Sequence, residues 1–436
     1  MVNEEEITSN YTTSINTDQS GSQKIVALYK FVNPKIPADK LPTIKTELET
    51  ILRSVQARGT ILLACEGING TVCYPLQDAD KDDGKDVDKF LTYLQSHMYF
   101  SRLRIRVSFA NTPVFYRLKV KLKKEIVTML GNNEDDDQSS FTNKDSSLDA
   151  CNSIDQENSC RDSEEKENAL VDPTKIVGTY IKAGKEWDDL LMDPDVAVID
   201  TRNKYEVEVG TFENAISPNT DNFKQFPGWL KQFAEAACCE DGTCNIDSIA
   251  AIDNSGNDEQ QSSQGDEKNS TFINCDARST ESVPFTLTEP IKKPKAVAMF
   301  CTGGIRCEKA TSFTLAAKIF PPDVAIYHLD GGILAYLAKH PDAETSKWKG
   351  ECFVFDQRVS VTHGLKPSDT YNLCHACRRP VSIEDKNGED YIQGVCCKLC
   401  NDSLTDPQKQ RFKERQRQMD LAAKRGSLHI HDPKEI

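Results

Sequence analysis

The stretch AVAMFCTGGIRCEKATSF, residues 296–313, constrains the fold most strongly. Its first five residues are all apolar, which is typical of a strand that is buried on both faces within a parallel sheet. A glycine-containing loop follows, and the residues after the loop have a helical pattern. Similar apolar strands alternate with helical segments through residues 172–350, so we predict an α/β domain whose parallel sheet is covered by helices on both faces.

The preceding segment, residues 24–130, has a different order of elements. Its hydrophobic pattern predicts β-α-β-β-α-β, the order of a ferredoxin-like α+β domain. We expect the second and third strands to separate at Gly67–Gly70, within TILLACEGINGTVCY. Along the last strand basic and apolar side chains alternate, so the basic ones share one face, which either guards a solvated sheet edge or contacts nucleic acid. The basic residues are Arg117, Lys119, Lys121 and Lys123, and the apolar residues, expected on the core side, are Leu118, Val120 and Leu122.

Acidic polar segments interrupt these patterns. Residues 134–167 and 240–289 each carry a net charge of −9 and are rich in Ser, Asn, Asp and Gln, so they cannot bury enough apolar surface to fold. We predict a disordered tail at 1–23, a disordered linker at 131–171 and a disordered insertion at about 240–290 inside the parallel-sheet domain. Without these two segments and the first 22 residues, which carry −4, the chain carries +7, which is compatible with a polyanionic partner.

The chain contains 16 cysteines, and they are clustered rather than spread evenly. In a chain of this length, clustering favours reduced thiols with catalytic or metal-binding roles over a disulfide scaffold. No apolar run approaches the roughly 20 residues of a membrane helix, and the N-terminus has no pattern of a targeting peptide. We therefore expect a cytoplasmic protein that has no membrane partner.

Cys301 lies at the carboxyl end of the apolar strand, where parallel sheets collect reactive groups. The glycines allow backbone N–H groups to point at its sulfur, while the following helix N-terminus and Arg306 add positive charge. Each effect favours the thiolate, so we predict that Cys301 is a nucleophile with a lowered pKa. Cys307 is a candidate resolving thiol, although a packing role suits its position better. The loop between Cys301 and Arg306 consists of Thr302, Gly303, Gly304 and Ile305.

Four other cysteines form two Cys-x2-Cys pairs with 19 residues between them. Four thiolates complete a tetrahedral zinc site with no open position, so we predict structural zinc in a small module at residues 351–436. Cys396 is left over, and His375 is expected to support the ligands rather than replace one. The predicted ligands are Cys374, Cys377, Cys397 and Cys400.

A basic helix is predicted beyond the cysteines, in DPQKQRFKERQRQMDLAAKRG, with Asp406 as its N-cap and Pro407 in its first turn. Seven basic and two acidic residues lie between Lys409 and Arg425. The helix is either simply solvated or contacts an RNA backbone. The candidates for RNA contact are Arg411, Arg415 and Lys424.

Several of these motifs resemble a known family. VIDTRNKYEVEVGTFENAI, the Cys-x4-Arg loop and LDGGILAYL look like a rhodanese domain. LLACEGINGTV, CTGGIRCEKA, FVFDQRVS and ERQRQMDLAAKRG are similar to one rhodanese subgroup, the tRNA uridine hydroxylase (TrhO-like) family, over roughly residues 24–130 and 172–428. The resemblance implies oxygen-dependent 5-hydroxylation of the wobble uridine in tRNA, with Cys301 essential. It also matches the rhodanese Asp-x-Arg turn to Asp200 and Arg202, as supporting residues. The two acidic insertions depart from the family pattern.

Two alternatives stay open. A sulfurtransferase would use the same loop to carry sulfur as a Cys301 persulfide, with a protein sulfur donor or acceptor as its partner. An RNA-binding or scaffold protein would have an inert rhodanese domain, which the intact Cys-x4-Arg loop disfavours. A phosphatase on this fold would need Cys-x5-Arg, but the sixth position after Cys301 is Cys307. The sequence has no flavin or nicotinamide fingerprint and no iron-binding facial triad, so it identifies no cofactor for oxygen activation.

The predicted insertion generates a first test. Deleting residues 245–285 should leave folding and activity nearly unchanged, because the entropy cost of closing a flexible loop grows only slowly with loop length. Thermal unfolding and activity of the deletion variant check this, and limited proteolysis should cut first within 245–285 and 132–169. An insoluble or inactive deletion variant would contradict the prediction.

Overall fold

A computed structural model of the 436-residue chain describes residues 22–76, 88–130, 171–238 and 293–425. The tail, the linker and the insertion that the sequence predicts to be disordered lie almost entirely outside the described residues, and stay predictions. Within the described ranges, no helix combines the length and apolar character needed to cross a membrane.

The N-terminal domain is built on one five-stranded sheet, in the order β4-β1-β3-β2-β5. The first four of these strands pair antiparallel, and β5 runs parallel to β2. This confirms the predicted ferredoxin-like order. The elements are β1 (Gln23–Phe31), α1 (Leu41–Ser54), β2 (Arg58–Ala64), β3 (Gly67–Pro75), α2 (Lys89–Ser96), β4 (Arg104–Ala110) and β5 (Leu118–Leu122).

Helices α1 and α2 cover one face of this sheet. On α1 the residues Ile44, Leu48 and Leu52 are buried at intervals of four, so one stripe of the helix faces the core. Helix α2 begins because the Asp88 carboxylate accepts a hydrogen bond from the Leu91 amide at 3.0 Å.

The predicted strand break at Gly67–Gly70 is wrong, since both glycines lie inside β3 and the turn falls at residues 65–66. A Cβ on Gly67 would overlap the carbonyl oxygen of Lys30 on β1, and one on Gly70 would overlap that of Thr60 on β2. The glycines therefore allow close approach of neighbouring strands rather than a turn.

The second domain contains a parallel sheet, as predicted, and the structure gives it four strands in the order β6-β10-β9-β7. All five residues of β9 are buried, because α5 and α6 pack on one face of the sheet and α3 and α7 on the other. The elements are β6 (Thr179–Ile181), α3 (Lys185–Leu191), β7 (Val196–Asp200), α4 (Lys204–Val207), β8 (Gly210–Phe212), α5 (Phe226–Cys238), β9 (Ala296–Phe300), α6 (Ile305–Ala316), β10 (Ala325–Leu329) and α7 (Gly332–Lys339).

The C-terminal part consists of short strands and one long helix. β11 pairs with β8 of the second domain, and β12 and β13 form a tight hairpin. The last helix, α9, begins one residue earlier than the predicted cap implies: Thr405 is the N-cap, its amide donates to the Gln408 side chain at 2.8 Å, and Asp406 is the first helical residue. The elements are β11 (Trp348–Gly350), β12 (Cys352–Phe353), β13 (Ser360–Val361), β14 (Asn372–Leu373), β15 (Pro380–Val381), α8 (Ile383–Lys386) and α9 (Asp406–Lys424).

The free face of the N-terminal sheet packs against the second domain through buried polar contacts. Tyr29 donates a hydrogen bond to Glu308 of α6 at 2.9 Å, and Arg104 pairs with the same carboxylate at 3.1 Å. Lys309, only 2% exposed, contacts both carboxylate oxygens of Glu66 at 3.0 Å. Such contacts require specific geometry, so they fix the orientation of the two domains.

Candidate functional site

Cys301 lies at the carboxyl end of β9, and its side chain is 1% exposed. The amide of Gly304 donates a hydrogen bond to its Sγ at 3.1 Å. Gly304 has φ +102°, a conformation that favours glycine and that turns its amide towards the sulfur. The loop therefore surrounds the thiol as the sequence suggests.

Helix α7 holds the loop from the other side. The amides of Ile333 and Leu334 donate to the carbonyl oxygens of Cys301 and Thr302 at 2.9 and 3.1 Å. A Cβ on Gly332 would overlap the same two carbonyl oxygens, so the glycine pair of LDGG permits this contact. The first turn of α7, whose N–H groups have no partners within the helix, thus fixes the backbone of the loop.

The pKa of Cys301 reflects opposing effects. Burial raises it, but a hydrogen bond from the Cys307 thiol, the charge of Arg306 and the amides of Cys307 and Gly304 outweigh burial and lower the pKa to about 6. Burial and the neighbouring Cys301 sulfur raise the pKa of Cys307 well above its ordinary value. Cys307 is therefore the proton donor of the pair, a role more specific than the packing role expected from the sequence.

Arg306 is held by a carboxylate that the sequence analysis did not identify. Its two terminal nitrogens contact the oxygens of Glu206 at 2.8 and 3.1 Å, and the Glu206 side chain is fully buried. Burial lowers the pKa of Arg306, but Glu206 more than compensates, so the pKa is raised and the guanidinium stays charged. Glu206 lies 100 residues away in sequence, and only the fold brings the two together.

Asp200 and Arg202 form a fully buried ion pair at 2.7 Å, outside the pocket beside Cys301. Arg202 also donates to the carbonyl oxygens of Glu206 at 3.2 Å and Gly210 at 2.6 Å. The Asp-x-Arg turn thus anchors α4, the short helix that presents Glu206 to Arg306. This placement fits the supporting role that the resemblance implies.

A pocket of about 550 Å³ opens beside Cys301, between the two domains and the β12–β13 hairpin. The second domain contributes Thr302, Gly303, Ile305 and Arg306 of the predicted loop, while Gly304 contributes its amide behind the sulfur. The N-terminal sheet and the hairpin supply residues that sequence reasoning missed, since nothing in the sequence shows which face the sheet turns to the loop. These include Tyr29, Arg104, Arg106, Phe355 and Arg358.

The four predicted zinc ligands come together in the C-terminal module, with all four sulfurs within 4.8 Å of one another. The Sγ distances are 3.8 Å for Cys374–Cys400, 3.7 Å for Cys377–Cys397 and 3.8 Å for Cys397–Cys400. Sulfurs bound tetrahedrally at about 2.3 Å lie about 3.8 Å apart, so this cluster could hold zinc.

Cys396 and His375 take no part in the cysteine cluster. Cys396 turns its thiol to Asn401 Oδ1 at 3.4 Å. The His375 ring packs edge-on against Phe412 of α9, with the ring centroids 5.9 Å apart. His375 therefore connects the first cysteine pair to the basic helix.

The basic stripe of the N-terminal domain lies on β5, an edge strand, as the solvated-edge interpretation requires. Arg117, Lys119 and Lys121 are exposed, but Lys123 is half-buried in the pocket wall. The expectation that Leu122 faces the core is wrong: it is exposed, because the β2–β5 pairing ends there. Burial and the nearby charges of Lys121 and Arg117 lower the pKa of Lys119.

Two of the three candidates on α9 face solvent. Arg411 and Lys424 are exposed, whereas Arg415 is half-buried and contacts Met419 Sδ at 3.2 Å. Burial lowers the pKa of Arg415, and the neighbouring Tyr116 acts in the opposite direction. Tyr116, the residue before Arg117, is therefore within electrostatic range of Arg415 on α9.

Residues 23–126 match the family model described as the UPF0176 acylphosphatase like domain. The match covers about a quarter of the chain and assigns its N-terminal domain. For this segment the match agrees with the resemblance of the motifs to the TrhO-like family.

A solved structure from Rhodopseudomonas palustris CGA009, described as a protein of unknown function and possible tyrosine phosphatase, is 14% identical. The comparison covers 43% of this chain and 94% of that one with a TM-score of 0.21, and a likeness this weak carries no argument.

The hydrogen bond between the two thiols gives a second test. Alkylation of Cys301 requires the thiolate, so its rate should fall as the pH drops through about 6. Cys307→Ala removes the thiol that donates to Cys301. The pH at which the alkylation rate is half-maximal should then rise by about one unit or more, since hydrogen bonding to the charged form lowers a pKa. Cys307→Ser keeps a donor and should remain close to the wild type.

The Arg306→Ala substitution, measured in the same way, should also raise the pH at which the alkylation rate of Cys301 is half-maximal. Mass spectrometry of the Cys301 peptide across pH gives each profile. Equal midpoints for wild type, Cys307→Ala and Arg306→Ala would show that neither side chain stabilises the thiolate.

The cysteine cluster generates a third test. Purified protein should contain about one zinc per chain, because four thiolates complete one tetrahedral site. Cys397→Ser should lose the metal and unfold the C-terminal module, since metal binding supplies folding free energy. Cys396→Ser, one residue away and outside the cluster, is the matched control and should retain the metal. Elemental analysis and thermal unfolding of both variants check this; equal metal content would refute the assignment.

Proposed function

We propose that the protein is a tRNA-modifying enzyme with a rhodanese-like catalytic domain, which hydroxylates the wobble uridine at carbon 5 in an oxygen-dependent reaction. Cys301 is the catalytic thiol. The observation that carries the proposal is the position of this thiol: it has a lowered pKa and lies at a pocket that the UPF0176 domain completes.

The chemistry of the pocket supports this function. With a pKa of about 6, Cys301 is mostly thiolate at neutral pH and therefore a nucleophile. A volume of about 550 Å³ is within the range of small-molecule sites and accommodates a nucleobase. Because a base in a folded RNA is stacked, it would have to be extruded from its neighbours to reach the sulfur.

We also propose that the basic elements β5 and α9 contact the tRNA backbone. Exposed basic side chains on both elements could neutralise phosphates. The positive charges around Lys119 repel one another, and a bound polyanion would relieve that repulsion. The candidates are Arg117, Lys119 and Lys121 on the strand and Arg411 and Lys424 on the helix.

A sulfurtransferase is the second candidate, and it is favoured by the same sulfur environment. The Gly304 amide and the Arg306 charge that stabilise a thiolate would also stabilise a Cys301 persulfide. The two functions differ in their product, since one adds oxygen to the tRNA base and the other transfers sulfur to an acceptor.

Mass spectrometry of tRNA nucleosides provides the fourth test. Cells lacking the gene should lose 5-hydroxyuridine and its derivatives. The wild-type gene should restore them and Cys301→Ser should not, because a hydroxyl is far less acidic than a thiol. Cys238→Ser, a half-buried cysteine at the end of α5, is the matched control and should restore them fully. Unchanged 5-hydroxyuridine would contradict the hydroxylase, and loss of thiolated nucleosides instead would support the sulfurtransferase.

A further inference from the structure

The hairpin of β12 and β13 carries an exposed aromatic side chain at the pocket. Phe355 lies in the connection between the two strands and is 60% exposed, although it lines the pocket beside Cys301. Its ring meets that of Phe353 edge-on at 5.0 Å, and the Arg306 guanidinium lies 5.7 Å from its centroid. An exposed aromatic ring at a cavity offers an apolar face to a ligand.

The hairpin connection is rigid, which distinguishes Phe355 from an incidental surface residue. The amide of Val354 donates to the carbonyl of Val359 at 2.8 Å and closes the turn. Asp356 accepts two hydrogen bonds from the Arg358 side chain, at 2.9 and 2.6 Å, and one from its amide at 3.0 Å. The amide of Gln357 reaches the N-terminal domain, bonding to the Val114 carbonyl at 3.0 Å. The turn thus holds the Phe355 backbone in place without covering its ring.

Two polar atoms in the same pocket are buried and have no hydrogen-bond partner among the described residues. One is Nε of Arg106, on β4 of the N-terminal domain. The other is Oγ1 of Thr302, the residue after Cys301. Buried polar groups normally have partners, so two such atoms at one cavity indicate that a ligand supplies them. Arg106 is itself fixed, since its NH2 group donates to the Gly331 carbonyl at 2.5 Å.

The unpartnered atoms define what the ligand must offer. Arg106 Nε can only donate, so it requires an acceptor, while the Thr302 hydroxyl can donate or accept. A uracil ring has carbonyl acceptors, an N–H donor and a π-face that stacks on aromatic side chains. Arg106, Thr302 and Cys301 all line the same pocket, so both polar groups face the cavity that contains the reactive sulfur.

We propose that Phe355, Arg106 and Thr302 form a subsite for an extruded pyrimidine base, which stacks on Phe355 and bonds to the other two beside Cys301. The inference rests on the proposed function and names the residues that bind its substrate. It also gives the FVFDQRVS motif a role, because Phe355 belongs to this motif. The subsite combines residues of the N-terminal domain, of the loop after Cys301 and of the β12–β13 hairpin.

The test measures protection of Cys301 in the full-length protein. The rate of iodoacetamide alkylation is compared with and without uridine 5′-monophosphate (UMP), and the ratio of the two rates is the readout, so that changes in intrinsic reactivity cancel. UMP should protect the wild type. Phe355→Ala should raise the half-protecting UMP concentration about tenfold, because stacking of a base on an aromatic ring contributes about that factor. Phe355→Trp should retain protection.

Matched variants separate base recognition from a structural effect. Thr302→Val keeps the shape of the side chain but removes the hydroxyl and should weaken protection, whereas Thr302→Ser should preserve it. Tyr116→Ala removes an aromatic ring that is 41% exposed and does not line the pocket, so it should leave protection unchanged.

The outcomes distinguish this inference from the proposed function. Equal protection by ribose 5-phosphate and UMP would show that the pocket recognises phosphate, and would overturn the base subsite. Absence of protection by UMP, or equal protection of wild type and Phe355→Ala, would overturn it as well. None of these results bears on the tRNA nucleoside analysis, which tests the proposed function independently.

Discussion

The contact between Arg306 and Glu206 is the constraint on which the site depends. A buried carboxylate without a partner would be very costly, and Arg306 supplies that partner with both terminal nitrogens. The same pairing fixes the guanidinium near the sulfur, where its charge helps to lower the pKa of Cys301. Glu206 is in turn positioned by the Asp200–Arg202 pair, which holds the backbone of α4. A chain of buried charges thus connects the end of β7 to the reactive thiol.

The N-terminal domain contributes half of the pocket rather than an independent function. Ferredoxin-like sheets have one face free of helices, and here that face turns towards the loop around Cys301. Arg104 contacts Glu308 of α6 at 3.1 Å and Asp330 at 2.5 Å. It therefore connects β4 to the helix that follows the Cys301 loop and to the segment that precedes α7. Burial raises the pKa of Glu308, whereas Arg104 and the hydrogen bond from Tyr29 act in the opposite direction. The interface therefore includes specific polar contacts, and they fix the N-terminal sheet against the second domain beside the pocket.

Local patterns predicted the fold well, because each depends on residues close in sequence. The apolar run of β9, the basic alternation of β5 and the two Cys-x2-Cys pairs all identify their elements without tertiary information. The glycines of β3 misled the prediction, since Gly67 and Gly70 allow contact with strands that the sequence does not show to be neighbours. The cap at Thr405 was missed by one residue because Thr and Asp are both common N-caps.

The residues that complete the site could not be predicted in this way. Glu206 resembles any acidic residue of a short surface helix until the fold places it opposite Arg306. Arg106 alternates with apolar residues along β4, which indicates only that it lies on one face of a sheet. Phe355 belongs to the FVFDQRVS segment, whose sequence indicates a resemblance to the TrhO-like family but no role for the phenylalanine. In each case the function of the side chain depends on which other part of the chain packs against it, and that information is tertiary.

The cysteine cluster also supports the reactive loop, although the two lie in different hydrophobic cores. Arg379, two residues beyond Cys377, lies over the ring of Tyr205 at 5.2 Å. That ring also packs edge-on against Phe353 of β12, at 5.6 Å. Tyr205 precedes Glu206 on α4, so the segment next to the cysteine cluster braces the helix that positions Arg306. The cysteine cluster is therefore connected, through Arg379 and the Tyr205 ring, to the helix that carries Glu206 and to β12. A metal that orders this cluster would also stabilise the helix that positions Arg306.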